Sequence, residues 1–425
     1  MTTYKKIMNI ALPAMAENFL QMLMGMVDSY LVASLGLIAI SGVSVAGNII
    51  TIYQAIFIAL GAAISSLISK SLAQGDKERL AYHRAEAIKL TLLLSAFLGL
   101  LSLLFGRQMI NLLGTEKEVA EAGGLYLALV GGTIVLLGLM TSFGALVRVT
   151  RNPRFPMYVS LLTNVLNALF SALGIYVFRL GVVGVALGTV MARLVGVLIL
   201  WRELDLSTIR WSWGLDRELL RLSLPAAGER LMMRAGDVVI IAIVVVFGTD
   251  AVAGNAIGEV LTQFNYMPAF GVATATVMLV AHAVGEGDMQ AVGQILQRAF
   301  WLSFACMLPL ALGIFALGWP LTLLYTDNSG AITASLSVIL FSLLGTPMAA
   351  GTVIYTAVWQ GLGNARLPFY ATTIGMWLIR IVAGYVLGVT CGLGLPGVWA
   401  GTLLDNGFRW LFLKVLFDRK MREIA

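Results

Sequence analysis

An acidic side chain inside an apolar segment is the first feature of this sequence that could do chemistry. Asp28 lies within a helix-length, mostly apolar stretch from Ile7 to Leu35. A charged side chain at the centre of a membrane helix costs roughly 2.5–3.5 kcal/mol on insertion scales, so it is kept where it has a function or a specific partner. A carboxylate in such a place can take up and release a proton, or bind a small cation.

The polar residues before Asp28 follow the spacing of one helix face. Glu17, Gln21, Met24 and Asp28 are separated by four, three and four residues, and Asn18 lies beside them. Such a face avoids lipid and is expected to line a cavity. We interpret Asp28 as the site of a coupling proton or ion, with Asn18, Gln21 and Met24 as its neighbours. The alternative is that Asp28 only joins neighbouring helices by hydrogen bonds.

A second polar group occurs in the other half of the chain. Asp237 precedes Gly248 by eleven residues and Glu259 follows it by eleven, so antiparallel helices would bring the two carboxylates to one depth. Arg234 lies one turn from Asp237 and can pair with it. The group either holds two helices together or binds a substrate or cation. Its members are Arg234, Asp237, Asn255, Glu259 and Gln263.

Other residue types that carry chemistry are few and scattered. Cys306 and Cys391 lie in apolar surroundings and predict neither a disulfide nor a metal site. His83 and His282 are too far apart in sequence for a zinc or catalytic cluster. We therefore predict no enzyme activity, no catalytic residues, no metal and no cofactor.

Composition indicates that membrane helices position these residues. Apolar residues make up 59% of the chain and charged residues only 12%, whereas about a quarter of the residues in a soluble domain are charged. About 20 apolar residues suffice to cross a bilayer, and the charged clusters divide the chain into twelve such stretches. We predict an all-α integral membrane protein with twelve transmembrane helices.

The placement of Lys and Arg predicts the orientation in the membrane. Twenty of them fall in one set of loops, whereas the other set holds only Arg107, Lys117 and Arg179. Positive loops stay in the cytoplasm, so both termini are predicted to be cytoplasmic, in a multi-pass protein of the plasma (inner) membrane. The net charge of +6 then needs no nucleic-acid partner.

The two halves of the chain repeat each other at an offset of 212 residues. Pro13 corresponds to Pro225 and Gly36 to Gly248, and Asn152-Pro-Arg-Phe-Pro-Met-Tyr158 corresponds to Asn364-Ala-Arg-Leu-Pro-Phe-Tyr370. Six spans per repeat make the repeats parallel, with a cleft where they meet. We predict an N-terminal six-helix lobe at 1–201, a cytoplasmic linker at 202–218 containing Trp211 and Trp213, and a C-terminal six-helix lobe at 219–425.

These features resemble the multidrug and toxic-compound extrusion (MATE) family, and within it the DinF-like branch. The resemblance covers nearly the whole chain, including the duplicated layout. Its motifs are Leu12-Pro13, Asp28-Ser-Tyr-Leu-Val, Ala39-Ile-Ser-Gly-Val-Ser, the Gly-Asp turns at Asp76 and Asp288, and Gln360-Gly-Leu-Gly-Asn-Ala-Arg366.

The resemblance implies a cation-coupled antiporter that exports amphipathic, often cationic compounds by rocking two lobes. It assigns the acidic coupling residue to Asp28 and a partner to Asn167, whereas Ser171 stands where some members have an acid. Sodium-coupled members have acidic residues near positions that Ala349 and Met233 occupy here. The resemblance therefore favours H⁺ over Na⁺ as the coupling ion.

The expected partners are small amphipathic or cationic molecules and membrane lipid, and the protein is expected to act as a monomer. Two alternatives remain within transport. One is sodium-coupled drug export, and the other is a flippase for a lipid-linked or isoprenoid-type substrate. A cleft dominated by cationic residues would favour the flippase.

Overall fold

The computed structural model describes residues 3–204, 209 and 212–424, and every regular element in this part of the chain is helical. The first half contains α1 (Thr3–Ala33), α2 (Leu37–Ala73), α3 (Lys77–Asn111), α4 (Lys117–Tyr126), α5 (Val135–Thr150), α6 (Phe155–Ala172) and α7 (Val182–Glu203). The second half contains α8 (Arg217–Val245), α9 (Thr249–Glu286), α10 (Met289–Ala316), α11 (Gly318–Leu323), α12 (Ser329–Leu344), α13 (Thr346–Gly361), α14 (Arg366–Thr373), α15 (Ile381–Tyr385) and α16 (Leu395–Ile424). Wider π-helical turns follow α4, α6, α14 and α15, at Leu127–Gly131, Leu173–Val177, Ile374–Arg380 and Val386–Thr390.

The turns between helices repeat as the sequence predicts. Gly36 and Gly248 precede α2 and α9 with φ angles of 104° and 98°, a conformation that favours glycine. Asp76 and Asp288 cap α3 and α10, and each carboxylate accepts a 2.9 Å hydrogen bond from the backbone N–H three residues later. Equivalent positions of the two halves therefore have the same local structure.

The duplicated Asn-x-Arg motif forms the same cap in both halves. The Asn152 side-chain oxygen accepts a hydrogen bond from the Arg154 backbone N–H at 2.9 Å, and Asn364 accepts one from Arg366 at 3.2 Å. These bonds satisfy backbone donors where α6 and α14 begin. The motif is a structural cap in each half.

Helix length and apolarity support a membrane protein. Eight helical segments among the described residues are long and apolar enough to cross a membrane, and two bent pairs raise the number to ten. The remaining long helices, α8 and α16, have 29 and 30 residues but carry several charged side chains. Up to ten of the twelve predicted spans are therefore supported among the described residues.

Prolines of the second half occur both at a bend between helices and inside continuous helices. Pro347 opens α13 after a 57° bend from α12, as a proline in a first turn allows. Pro268 and Pro309 lie inside the continuous helices α9 and α10. A membrane helix can accommodate a proline where neighbouring groups or local backbone adjustments satisfy the backbone group that it frees.

The chain forms two compact units. One is Ala16–Ser223, and the other joins the first part of α1, up to Met15, to the described residues from Leu224 onward. Trp211 of the predicted linker lies outside the described residues.

The described end of the linker is tied to α2 and α3. Glu218 forms ion pairs with Lys70 at 3.2 Å and Arg79 at 2.9 Å, and Glu86 accepts a hydrogen bond from Ser212 at 2.8 Å. Burial alone would raise the pKa of Glu218, but the hydrogen bond from Arg79 and the charge of Lys70 outweigh it, so the pKa is lowered. These contacts tether the start of α8 to the unit that contains α2 and α3.

Candidate functional site

The structure gives Asp28 of α1 a specific partner on α6. The side-chain amide of Asn167 donates to both carboxylate oxygens of Asp28, at 2.9 and 3.1 Å. The hydroxyl of Ser171, one turn further along α6, donates a 3.4 Å hydrogen bond to the side-chain oxygen of Asn167. Asp28, Asn167 and Ser171 therefore form one hydrogen-bonded chain, which we call the Asp28 site.

Close packing of α6 against α7 holds this chain in place. Asn167 is 7% exposed and Ser171 is fully buried. A Cβ atom on Gly188 of α7 would stand 2.5 Å from the Ser171 hydroxyl oxygen, and one on Gly184 would meet the Gly174 backbone at 2.7 Å. The glycines let the two helices approach closely enough to fix the Asn167 side chain.

Charged and polar residues from α4 and α7 complete the surroundings of Asp28. Arg193 of α7 and Tyr126 at the end of α4 interact electrostatically with the carboxylate. Tyr126 also interacts with the side chain of Thr189 of α7. The guanidinium Nη1 of Arg193 is buried and has no hydrogen-bond partner among the described residues. Asp28 is only half-buried, so its carboxylate can exchange a proton or a small cation beside a fixed positive charge.

Asp28 is the one acidic member of its hydrogen-bonded chain. In the part of the chain that the structure describes, no group of three or more His, Cys, Asp or Glu side chains is placed to hold a metal ion. The chemistry available at the Asp28 site is therefore that of a single carboxylate with an amide donor and a nearby guanidinium.

None of the other predicted residues of α1 joins the hydrogen-bonded chain of the Asp28 site in the described part of the protein. Gln21 accepts a 3.4 Å hydrogen bond from Gln54 of α2. Asn18 and Met24 are half-buried, and the Asn18 side chain makes no hydrogen bond to a described residue. Glu17 forms an ion pair with Arg148 of α5. The predicted polar face of α1 thus divides among three neighbouring helices.

In the other unit, the structure pairs Asp237 of α8 with Arg380. The Asp237 carboxylate lies 3.5 Å from the Arg380 guanidinium, which ends a π-helical segment. The expected partner, Arg234, acts on Asp237 through its charge without forming the ion pair. The prediction that Arg234 forms the ion pair with Asp237 was therefore wrong. A segment distant in sequence brings Arg380 within ion-pair distance instead.

The predicted residues of α9 are partly brought together. Asn255 is 5% exposed, accepts a 2.9 Å hydrogen bond from the Trp399 indole, and interacts with the side chain of Glu259. The charges of Asp237 and Arg380 both act on Glu259. Gln263 is exposed and makes no hydrogen bond to a described residue. Asp237, Asn255 and Glu259 thus belong to one cluster, and Gln263 lies outside it.

A buried ion pair in α16 was missed by the sequence reading. Asp405 is fully buried and Arg409 is 5% exposed, and two hydrogen bonds of 2.8 Å join them. Arg409 also donates to the Asn406 side-chain oxygen at 3.0 Å. A side chain on Gly375 would collide with both members of the pair. The signal was present, since an acid and a base four residues apart in an apolar segment can pair on one helix face.

Opposite charges balance in this cluster. Each embedded arginine of this unit has a carboxylate among its electrostatic neighbours, which leaves little positive charge unbalanced there. The charged members of the cluster are Glu229, Arg230, Arg234, Asp237, Glu259, Arg380, Asp405 and Arg409.

Comparison with known proteins gives matches over the whole chain. The MatE family model matches residues 13–173 and 225–386, two segments that begin 212 residues apart. A probable multidrug resistance protein NorM from Thermotoga maritima is 29% identical, covering 97% of this chain and 91% of that protein. The family match confirms the duplication that the sequence repeat predicts.

Two solved structures share the fold. One is a variant of the MATE transporter VcmN from Vibrio cholerae, with a TM-score of 0.92, 18% identity, and coverage of 99% of this chain and 97% of that one. The other is a MOP superfamily transporter from Pyrococcus furiosus, described as having a binding pocket of reverse polarity that suggests a different function. It has a TM-score of 0.91 and 20% identity, with coverage of 99% and 96%. These matches confirm the predicted all-α, two-lobed membrane fold.

Proposed function

The chain belongs to the MatE family, and from this premise we propose that it is a proton-coupled antiporter that exports amphipathic or cationic organic compounds. As a member of this family it is a transporter rather than an enzyme. Its place in the DinF-like branch remains a prediction from the sequence motifs. We further propose that the two compact units are the lobes that alternate access, with both chain termini in the cytoplasm and the protein in the inner membrane.

One observation carries the proposal, the carboxylate of Asp28 within a membrane-length helix. When Asp28 is ionised it accepts two hydrogen bonds from Asn167 and faces the charge of Arg193. A proton removes the negative charge, and a cationic substrate nearby would also compensate it. Because the proton and the substrate act on the same charge, each weakens the binding of the other. This competition is what exchange of a proton for a cation requires.

The equivalent region of the other unit favours a proton over sodium. Ala349 is 3% exposed and packs in an apolar cluster with Ala269 and Met307. The Met233 sulfur accepts a 3.5 Å hydrogen bond from Arg409. Apolar packing and a guanidinium therefore stand where the family resemblance would put the carboxylates of a sodium site. Sodium prefers oxygen ligands, so we propose H⁺ as the coupling ion.

Charge pairing argues against a flippase for a lipid-linked phosphate. Such a substrate would need positive charge free to bind it. Arg409 is instead bound bidentately by Asp405, and Arg380 is paired with Asp237. We therefore prefer an organic cation as the substrate, with Asp28 as the residue that compensates its charge.

Dye binding at different pH values tests this proposal. We expect the affinity of the purified protein for a fluorescent organic cation to fall as the pH is lowered, approaching about tenfold per pH unit if one proton competes. Asp28→Asn is expected to remove this pH dependence. Asp327→Asn, at an exposed position outside the site, serves as the matched control and should behave as wild type. An unchanged pH dependence in Asp28→Asn would contradict the assignment of the proton to this residue.

A further inference from the structure

An open pocket lies between α10, α13 and α16, in the unit that begins at Leu224. Its volume is about 600 Å³. All the residues that line it lie between 293 and 418, and none belongs to the Asp28 site or to the cluster of charged residues around Asp237 and Arg409. Its aromatic lining consists of Phe300, Trp301, Phe304, Tyr355, Trp410 and Phe417.

The aromatic rings of this pocket hold one another in fixed orientations. Phe300 stacks on Trp410 with the ring centroids 5.4 Å apart and the planes at 19°. Trp301 meets Phe300 edge-on at 5.5 Å and 74°. The Trp410 indole fits against α13 because Gly351 has no side chain there. Rigid aromatic faces of this kind attract ammonium groups.

Two opposite charges line the same pocket. Lys414 and Asp418 are one turn apart on α16, and both are exposed. Residues at this spacing can form an ion pair. Lys414 and Asp418 do not form one with each other in the described part of the chain. Both are therefore available to a ligand. A ligand that satisfies both must carry a negative and a positive group a few ångströms apart.

The position of the pocket along α16 is that of a membrane surface. Leu411 and Val415 on the same helix are 61% and 55% exposed, as expected for side chains in contact with lipid. The segment after Asp418 is strongly charged, and Trp301 is 53% exposed. Tryptophan at the end of an apolar segment is typical of the headgroup level of a bilayer.

We propose that this pocket binds the headgroup of a zwitterionic phospholipid. Its phosphate would lie at Lys414, and its ammonium group would lie between Asp418 and the aromatic rings. A simple organic cation would be repelled by Lys414, and an anionic phospholipid without an amine would be repelled by Asp418. The pocket thus offers one positive and one negative side chain that do not pair with each other, and a zwitterion carries the two complementary charges.

Binding of short-chain lipids to delipidated protein tests this assignment. Native mass spectrometry in detergent would compare dioctanoyl phosphatidylethanolamine, dioctanoyl phosphatidylglycerol and tetraphenylphosphonium. We expect the ethanolamine lipid to bind about fivefold more tightly than the glycerol lipid, since one exposed charge contact is worth up to about 1 kcal/mol. Asp418→Asn should remove this preference by weakening the ethanolamine lipid alone, and Lys414→Gln should weaken both lipids.

Controls separate the pocket from general lipid contact. Asp327→Asn and Lys117→Gln change exposed charges far along the chain from the pocket residues and should leave both affinities unchanged. The altered side chains at 414 and 418 are exposed, so the variants should keep the wild-type elution profile. Equal binding of the two lipids, an unchanged preference in Asp418→Asn, or tetraphenylphosphonium displacing the ethanolamine lipid would each overturn the proposal.

Discussion

Replacing Asp28 with asparagine is expected to reduce proton-driven efflux of an organic cation from proteoliposomes to the rate of protein-free liposomes. Asparagine keeps the size of the side chain and can still bond Asn167, but it can neither take up a proton nor carry a negative charge beside Arg193. The exchange of charge at the Asp28 site is lost. Loading the vesicles with a fluorescent cation, applying a proton gradient and following the dye signal measures this effect.

Two further variants distinguish loss of coupling from loss of structure. Asp327→Asn should transport as wild type, because the replaced carboxylate is exposed and makes no hydrogen bond to a described residue. Asn167→Ala should slow efflux without abolishing it, because it removes the hydrogen bonds to Asp28 and keeps the carboxylate. Wild-type efflux by correctly folded Asp28→Asn would show that coupling lies elsewhere.

Breaking the buried ion pair of α16 is expected to have the largest effect on stability. Asp405→Asn leaves the guanidinium of Arg409, 5% exposed, without its charged partner. Breaking a buried pair in this way costs about 3–5 kcal/mol. In a unit of about 200 residues each kcal/mol lowers the Tm by about 2–4 °C, so the Tm in detergent should fall by more than about 6 °C. Thermal unfolding followed by size-exclusion chromatography measures the change.

Removing both charges should recover part of this loss. In the double variant Asp405→Leu with Arg409→Met, no uncompensated charge remains between the two positions, although Asn406 loses its hydrogen-bond donor. We expect its Tm to lie between those of Asp405→Asn and the wild type. A double variant less stable than the single one would show that Arg409 stabilises the unit mainly through its other neighbours.

Much of the fold could be predicted because the repeat carries local turn chemistry. Gly36 and Gly248 need a positive φ, and Asp76 and Asp288 cap helices by hydrogen bonds to nearby backbone. Such features depend on a few neighbouring residues, so their positions are readable in the sequence. The sequence does not show whether α9 and α10 continue through Pro268 and Pro309. Packing decides whether a proline breaks a membrane helix or is accommodated within it.

The sequence predicted only those residues of the candidate site that are unusual in their local context or match a family motif. Asp28 is conspicuous as an acid in an apolar segment, and the family resemblance predicted Asn167 as its partner. Tyr126 and Arg193 lie far from Asp28 in sequence and reach it through helix packing, which no periodicity reveals. Arg380 was missed as the partner of Asp237 for the same reason.

The central claim is that a proton gradient, and not a sodium gradient, drives export of organic cations. The most direct test compares dye efflux from proteoliposomes of the wild-type protein under a proton gradient alone and under a sodium gradient alone, each at zero membrane potential. The Asp28 site predicts rapid efflux with the proton gradient and only background efflux with the sodium gradient. Efflux that follows sodium, or no dye movement under either gradient from folded protein, would contradict the account.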